Sequence, residues 1–199
     1  MYMRVPVFGN VMLMRCFAVL LTLVATSPTV FGAPASPPLQ TGVQVSIEPG
    51  DDGSYQAGQP LAVDRYLDRG NGTILDQMTG LVWLKDSGCL GGTDWNSALV
   101  AMANMAHGVC SLEDGSVPGE WRLPNIVELM SIVDYGNVSP ALAPNHPFVN
   151  VQSAFYWSSS TLNNVLDRAR PVDFASGRVD SNQGDKSSLH FVWPVRDQR

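Results

Sequence analysis

Apolar residues divide the chain into an N-terminal run, a sparse stretch and a patterned body. Residues 16–25 are apolar except for Thr22, and Arg15 stands directly before them. The run has about half the roughly 20 residues that span a bilayer. A positive residue, a short apolar core and small residues beyond it form the pattern of a secretory signal. Residues 1–32 are therefore expected to leave on export, with Val30 and Gly32 at positions −3 and −1 of the cut. Residues 33–42 (APASPPLQTG) read as an extended linker with nothing to bury. Residues 43–199 read as one domain.

Within that domain, Arg65-Tyr66-Leu67-Asp68, Thr73-Ile74-Leu75-Asp76 and Leu81-Val82-Trp83-Leu84 are separated by turn residues at Gly70-Asn71-Gly72 and Thr79-Gly80. Short β-favouring runs with such punctuation predict a three-strand meander. Helical spacing follows. Thr93 or Asp94 caps a run with Trp95, Ala98, Leu99, Met102 and Met105 or Ala106 on one face. Pro124 or Asn125 opens a second helix with Ile126, Leu129, Met130 and Val133 inward, and Glu128 sits in its first turn, where the helix dipole favours an acid. The segment 108–119 between the helices is an irregular loop. Strand patterns return at Phe155-Tyr156-Trp157-Ser158, Pro171-Val172-Asp173-Phe174, Arg178-Val179 and residues 189–195. Strands, two helices, a loop-rich stretch and then strands make an α+β fold and argue against an alternating nucleotide-binding α/β fold.

Composition changes the picture in one respect. Of 199 residues, 45% are apolar, ordinary for a globular chain, but only 15% are charged, with 12 basic and 18 acidic groups. All the acids lie from Glu48 onward, whereas Arg4 and Arg15 fall in the signal. The 167 residues left after its removal carry ten basic groups and a net charge of −8. Nucleic acid is thereby excluded as a partner class, and blanket attraction to anionic polymers is disfavoured. Cys16 leaves with the signal, so Cys89 and Cys110 remain. In an oxidising compartment two cysteines pair. The rival redox or metal reading lacks a CxxC spacing and a neighbouring His pair.

Several motifs in order carry a family likeness. They are Asp68-Arg69-Gly70-Asn71-Gly72-Thr73-Ile74-Leu75-Asp76, Thr79-Gly80-Leu81-Val82-Trp83, Trp121-Arg122-Leu123-Pro124-Asn125 with Glu128-Leu129, and Tyr156-Trp157-Ser158-Ser159-Ser160. Together with Gly50-Asp51-Asp52-Gly53, the two cysteines and the terminal Val195-Arg196, this pattern resembles the Lcl C-terminal domain family over roughly residues 40–199. The resemblance implies a bacterial exported or surface protein. It is also similar to formylglycine-generating-enzyme-like and other C-type-lectin-like domains, which implies that fold. The family's namesake is an adhesive, glycosaminoglycan-binding trimer on a collagen-like stalk. This chain has no collagen repeat and is acidic, so neither polyanion binding nor stalk-driven trimerisation carries over. The cysteine pair that formylglycine-generating enzymes use near the C-terminus is absent, since no cysteine follows Cys110.

Each candidate site has a plainer rival. Asp68, Asn71 and Asp76 around the first turn have a calcium-loop flavour, because a hard cation needs six to eight oxygen ligands. Without a DxDxDG core or a distant bidentate Glu, a hairpin with Asn and Gly at positive φ is the favoured reading, and no cofactor is expected. Trp83, Trp121, Trp157 and Trp193 suit a sugar platform or an aromatic core, and the core is favoured. Arg122 and Glu128 are favoured as an ion pair at the entry to the second helix, since Arg is a poor proton donor. Arg168, Arg170, Arg178 and Lys186 suggest a groove for an anionic sugar, but Asp167, Asp173, Asp180 and Asp185 interleave with them. His107, His146 and His190 have no zinc-ligand spacing, and no GxSxG or Ser-x-x-Lys occurs. The expectation is an exported, non-catalytic binding module for an extracellular glycan or surface ligand, with no lasting membrane span. Its binding face is placed in loops 108–119 and 136–153 or the basic hairpin 166–187. The alternative is a cell-envelope structural or assembly subunit that binds a protein, with an enzyme of unrecognised type behind both.

Overall fold

The structure, a computed structural model, describes residues 38–198. The signal segment and residues 33–37 of the expected linker lie outside the described residues. Residues 38–42 form no helix or strand beyond a bridge at Leu39, but they are tied down. The Gln40 N–H donates to the Gln59 carbonyl and the Gln59 N–H to the Pro38 carbonyl in a parallel bridge at Leu39, and the Tyr135 N–H donates to the Thr41 carbonyl at 2.8 Å.

The chain then forms a one-turn helix α1 (Asp52–Tyr55) and the meander β1 (Tyr66–Asp68), β2 (Thr73–Asp76) and β3 (Leu81–Leu84). A short strand β4 (Gly92–Thr93) leads into helices α2 (Trp95–Asn104) and α3 (Ile126–Ser131). The remaining strands are β5 (Phe155–Tyr156), β6 (Thr161–Leu162), β7 (Val165–Ala169), β8 (Val172–Asp173), β9 (Arg178–Val179), β10 (His190–Phe191) and β11 (Val195–Asp197). One sheet has the order β1-β2-β3-β11, a second β4-β10-β5-β8-β9, and β6 and β7 form a hairpin. All pairings are antiparallel except β5 with β10. Strands segregated from a few short helices make the fold α+β.

Local chemistry explains the element ends. The Asp51 carboxylate, at the head of α1, accepts N–H bonds from Ile47, Glu48 and Ser54. These bonds hold its pKa down at about 2. The Gly-Asp-Asp-Gly motif thus forms a capped helical turn. Asp94 caps α2 through the Ser97 N–H. Asn125 caps α3 in a full capping box, its side chain accepting from Val127 and Glu128 while Glu128 accepts from the Asn125 N–H.

The inward faces are narrower than the sequence pattern suggested. On α2, Ala98 and Met102 are buried, with Met105 just past the end, but Leu99 is partly exposed. On α3, Leu129 is buried and Met130 is not. That helix stops at Ser131, so the chain turns and Ile132 and Val133 enter the core. In the first hairpin, Gly70 and Gly72 take positive φ but Asn71 does not. Asn71 instead accepts from the Thr73 N–H and hydroxyl. A side chain on Gly72 would sit 2.5 Å from the Ser111 carbonyl, so glycine lets this turn pack on the 108–119 loop.

The core is aromatic. Trp83, Trp121, Trp157 and Trp193 are all fully or nearly fully buried. Trp193 lies within 6 Å of Trp83, Phe148, Tyr156 and Phe174, at centroid distances of 5.9, 4.9, 5.5 and 5.3 Å. Three of the indole N–H groups are satisfied: Trp193 by the Leu84 carbonyl, Trp157 by that of Thr93 and Trp121 by the Ser116 hydroxyl. Trp95, at the start of α2, is half-buried and donates to the Ser158 carbonyl at 2.8 Å. A Cys89–Cys110 disulfide joins the segment before α2 to the loop after it.

Candidate functional site

Most of the charged residues singled out in the sequence serve the architecture. Asp76 is fully buried and receives a two-pronged guanidinium from Arg65, at 2.9 and 2.6 Å, as well as the Met78 N–H and the Thr79 hydroxyl. Both of its oxygens are therefore spent, which removes it as a cation ligand. Asp68 accepts from Lys85 at 2.7 Å and from the Gly70 N–H, interactions that lower its pKa, and Asn71 turns to Thr73. The three do not converge, and no cluster of metal-ligating side chains occurs among the described residues.

Arg122 and Glu128 form the expected pair, with two bonds of 2.7 and 2.8 Å, and Asp197 adds a third contact at 3.2 Å. Donation to the Glu128 carboxylate raises the Arg122 pKa, against partial burial. The loop 108–119, expected to offer ligand contacts, spends Asp114 internally. Its carboxylate is buried 3.2 Å from Arg196, and Ser116 links it to the Trp121 indole. Burial pushes the Asp114 pKa up, but the two Ser116 bonds and Arg196 outweigh that and hold it low. This Asp114–Arg196 pair went unrecognised in the sequence.

The four basic residues of the hairpin do not gather into a groove. Arg178 lies between Asp173 and Asp180 at 3.5 and 3.4 Å, and over the Phe155 ring. Arg168 donates to the Ser181 carbonyl at 3.3 Å. Lys186 is held by Thr161, by the Leu166 carbonyl and by the Trp95 ring 3.9 Å away. Arg170 lies between β7 and β8, and its N–H donates to the Ser160 carbonyl at 2.9 Å. The shallow groove beside them is lined by Asp94, Asp167 and Asp185 with Lys186 alone opposing them. That surface is acidic, the reverse of an anion site.

A better-formed cavity lies elsewhere. It has a volume of about 430 Å³ and lies between residues 40–66 on one side and 132–146 on the other. That size falls in the range of small-molecule pockets, ~300–1,000 Å³. Its wall combines amides (Gln40, Gln44, Asn145) with an aliphatic shelf at residues 60–63 and 143–144. Two charged residues lie at its base, Arg65 at 4% exposure and Asp134 at 7%. Arg65 holds Asp76 through Nε and Nη2, and Nη2 also reaches the Ser131 carbonyl at 2.7 Å. Burial alone would lower the Arg65 pKa; the Asp76 hydrogen bond, with smaller help from Asp134, raises it. Tyr66 is pushed above its ordinary value chiefly by burial, and His146 below its own by burial, so both rings are neutral at pH 7.

The segment before β1 closes this cavity by a very tight approach. A side chain on Gly42 would meet the Asp134 carboxylate at 2.0 Å, and one on Gly136 would meet the Gly42 carbonyl at 2.3 Å. Gly42 also has φ +90°, which only glycine adopts freely. Asp134 in turn accepts the Gly136 N–H at 2.8 Å. Residues 143–146 of the loop 136–153 supply part of one wall. The other wall runs from the end of the expected linker, at Gln40 and Gly42, through residues with no predicted element to Arg65 and Tyr66 of the first strand run. The nearest signal in the sequence is the string of glutamines at 40, 44 and 56 beside an isolated Arg65.

The family model of the Lcl C-terminal domain matches residues 72–196. The chain therefore belongs to the Lcl C-terminal domain family. The match begins at Gly72, so Gly50–Gly53 and residues 68–71, counted above as part of the likeness, precede it, as does one wall of the cavity. No curated protein matches the chain. Among the described residues, no helix is long and apolar enough to cross a membrane.

Proposed function

We propose that this chain is an exported, non-catalytic binding module that recognises an extracellular glycan or surface ligand, built on a C-type-lectin-like domain. The fold reading draws support from the closing strand β11, which returns beside β3 to bring both ends of the domain into one sheet, with two helices and a long loop region between. The export reading draws support from the sequence pattern of residues 1–32 and from the disulfide.

One observation carries the binding reading. The charged side chains described above are spent largely on structural pairs, while the cavity between residues 40–66 and 132–146 is lined by amides, aliphatic carbons, Arg65 and Asp134. Such a wall suits recognition by hydrogen bonds and apolar contact rather than bond breaking. The mature domain, purified oxidised, is expected to give saturable binding on a glycan array and by calorimetry. Silence toward every saccharide, with and without calcium, contradicts the glycan reading.

The assembly-subunit reading rests on a different feature. Val45, Ile47, Tyr55 and Val63 are 74, 86, 75 and 99% exposed, all within the segment before β1. Cross-linking in envelope extracts, with Val63→Ser as the control, distinguishes a protein docked there.

A further inference from the structure

We propose that the cavity between residues 40–66 and 132–146 is a binding site for one uncharged, polyhydroxylated ring, with Arg65 and Asp134 as its polar anchors. The proposal rests on the glycan reading and gives it a place and a ligand class.

The unused atoms make the case. Nε and Nη2 of Arg65 are occupied by Asp76 and Ser131, and among the described residues no hydrogen bond engages Nη1. Asp134 commits Oδ1 to Gly136, and no hydrogen bond engages Oδ2. Both residues line the cavity, and both are more than nine-tenths buried. Neither atom is among the buried polar atoms left without a partner, so water reaches both from the cavity. A ligand that supplies an acceptor to one and a donor to the other replaces that water in kind. A hydroxyl group is both donor and acceptor, so adjacent hydroxyls on a ring satisfy the pair together.

Charge selects against an anionic ligand. Asp76 already balances Arg65, so Asp134 leaves the base of the cavity net negative, which repels an anion and leaves a neutral ligand its hydrogen bonds. The acidic mature chain adds a further bias against anions. Neutral His146 and Tyr66 add no charge. The exposed amide Gln44 extends the polar wall, and the aliphatic shelf at residues 60–63 offers a surface for the C–H face of a ring. Because that shelf and the glutamines precede the family match, this chain's selectivity is set by its own N-terminal segment.

The test uses the full mature chain and a panel of free neutral monosaccharides (glucose, galactose, mannose and N-acetylglucosamine), with glucuronate as the charged comparator. Binding is read by saturation-transfer NMR and calorimetry. At least one neutral sugar should bind, with glucuronate weaker. Ala143→Trp, which fills the mouth, should abolish binding. Asp134→Asn should weaken it roughly tenfold or more, as expected for loss of a hydrogen bond to a charged group. Gln44→Ala, on an exposed position and so harmless to folding, should weaken it less. Preserved thermal melting shows that each variant is folded. Unchanged affinity in both Gln44→Ala and a folded Ala143→Trp overturns the site while leaving the glycan reading intact. An array-positive protein that ignores all four sugars, or prefers glucuronate, also overturns the proposal alone. Silence in both assays overturns both.

Discussion

Asp76 shows how far a residue's role depends on what lies across the fold. In the sequence it ends a turn with the spacing of a cation loop, yet β1 and β2 pair Tyr66 with Asp76, which sets Arg65 beside it. Truncating one partner of a buried ion pair leaves an uncompensated charge, a loss of about 3–5 kcal/mol. Asp76→Ala should therefore lower the unfolding free energy by roughly that amount, measured by urea titration. The loss should be the same in calcium and in chelator. Wild-type stability that rises with calcium and is flat in Asp76→Ala contradicts this assignment. The same locality explains what was readable. Asp94, Asn125 and Glu128 act on N–H groups two or three residues away, so their caps stand in the sequence. Asp114 meets Arg196 from the other end of the domain, and no spacing rule reports that pair.

At the scale of elements, the meander and both helices follow from periodicity and punctuation, because each turn and cap forms with neighbours in the chain. The helix faces were less readable. Ten- and six-residue helices give too few turns to define a stripe, and packing decided that Leu99 and Met130 stay near solvent while Ile132 goes in. The 38–65 segment was least readable. Its sequence carries no strand pattern, and it is held by contacts with residues some 90 positions later, such as Gly42 against Gly136. The disulfide belongs to this scale too, since it fastens the loop after α2. It closes a separation of 21 residues, for which chain entropy gives about 3 kcal/mol. Reduction, or Cys89→Ser with Cys110→Ser, should lower stability by about that much in denaturant titration. A reduced protein as stable as the oxidised one contradicts the bridge as a fastener.

For the whole molecule, the titrating groups combine into a pH profile. His146 has a folded pKa lowered from 6.5 by burial, so the unfolded chain binds its proton first. Stability is therefore at its full value above that point and begins to fall as pH drops below about 6.5. Asp68, Asp94, Asp114 and Asp185 have folded values lowered from 3.8, through hydrogen bonds or, for Asp114, through bonds that outweigh burial. Their contribution is present above about 3.8 and is lost as pH falls through their folded values, giving a second, steeper decline. Thermal melting from pH 8 to 3 should show both steps, and His146→Gln should remove the first alone. A profile with no change between pH 7 and 5 contradicts the burial of His146.

The central claim is that the domain binds its ligand in the cavity closed by residues 40–66, rather than at the hairpin 166–187. Amide hydrogen exchange on the mature chain, with and without the neutral saccharide that binds best, tests this most directly. Slowed exchange confined to residues 40–66 and 132–146 is the predicted result. Slowed exchange at 166–187, with the cavity walls unchanged, would contradict it.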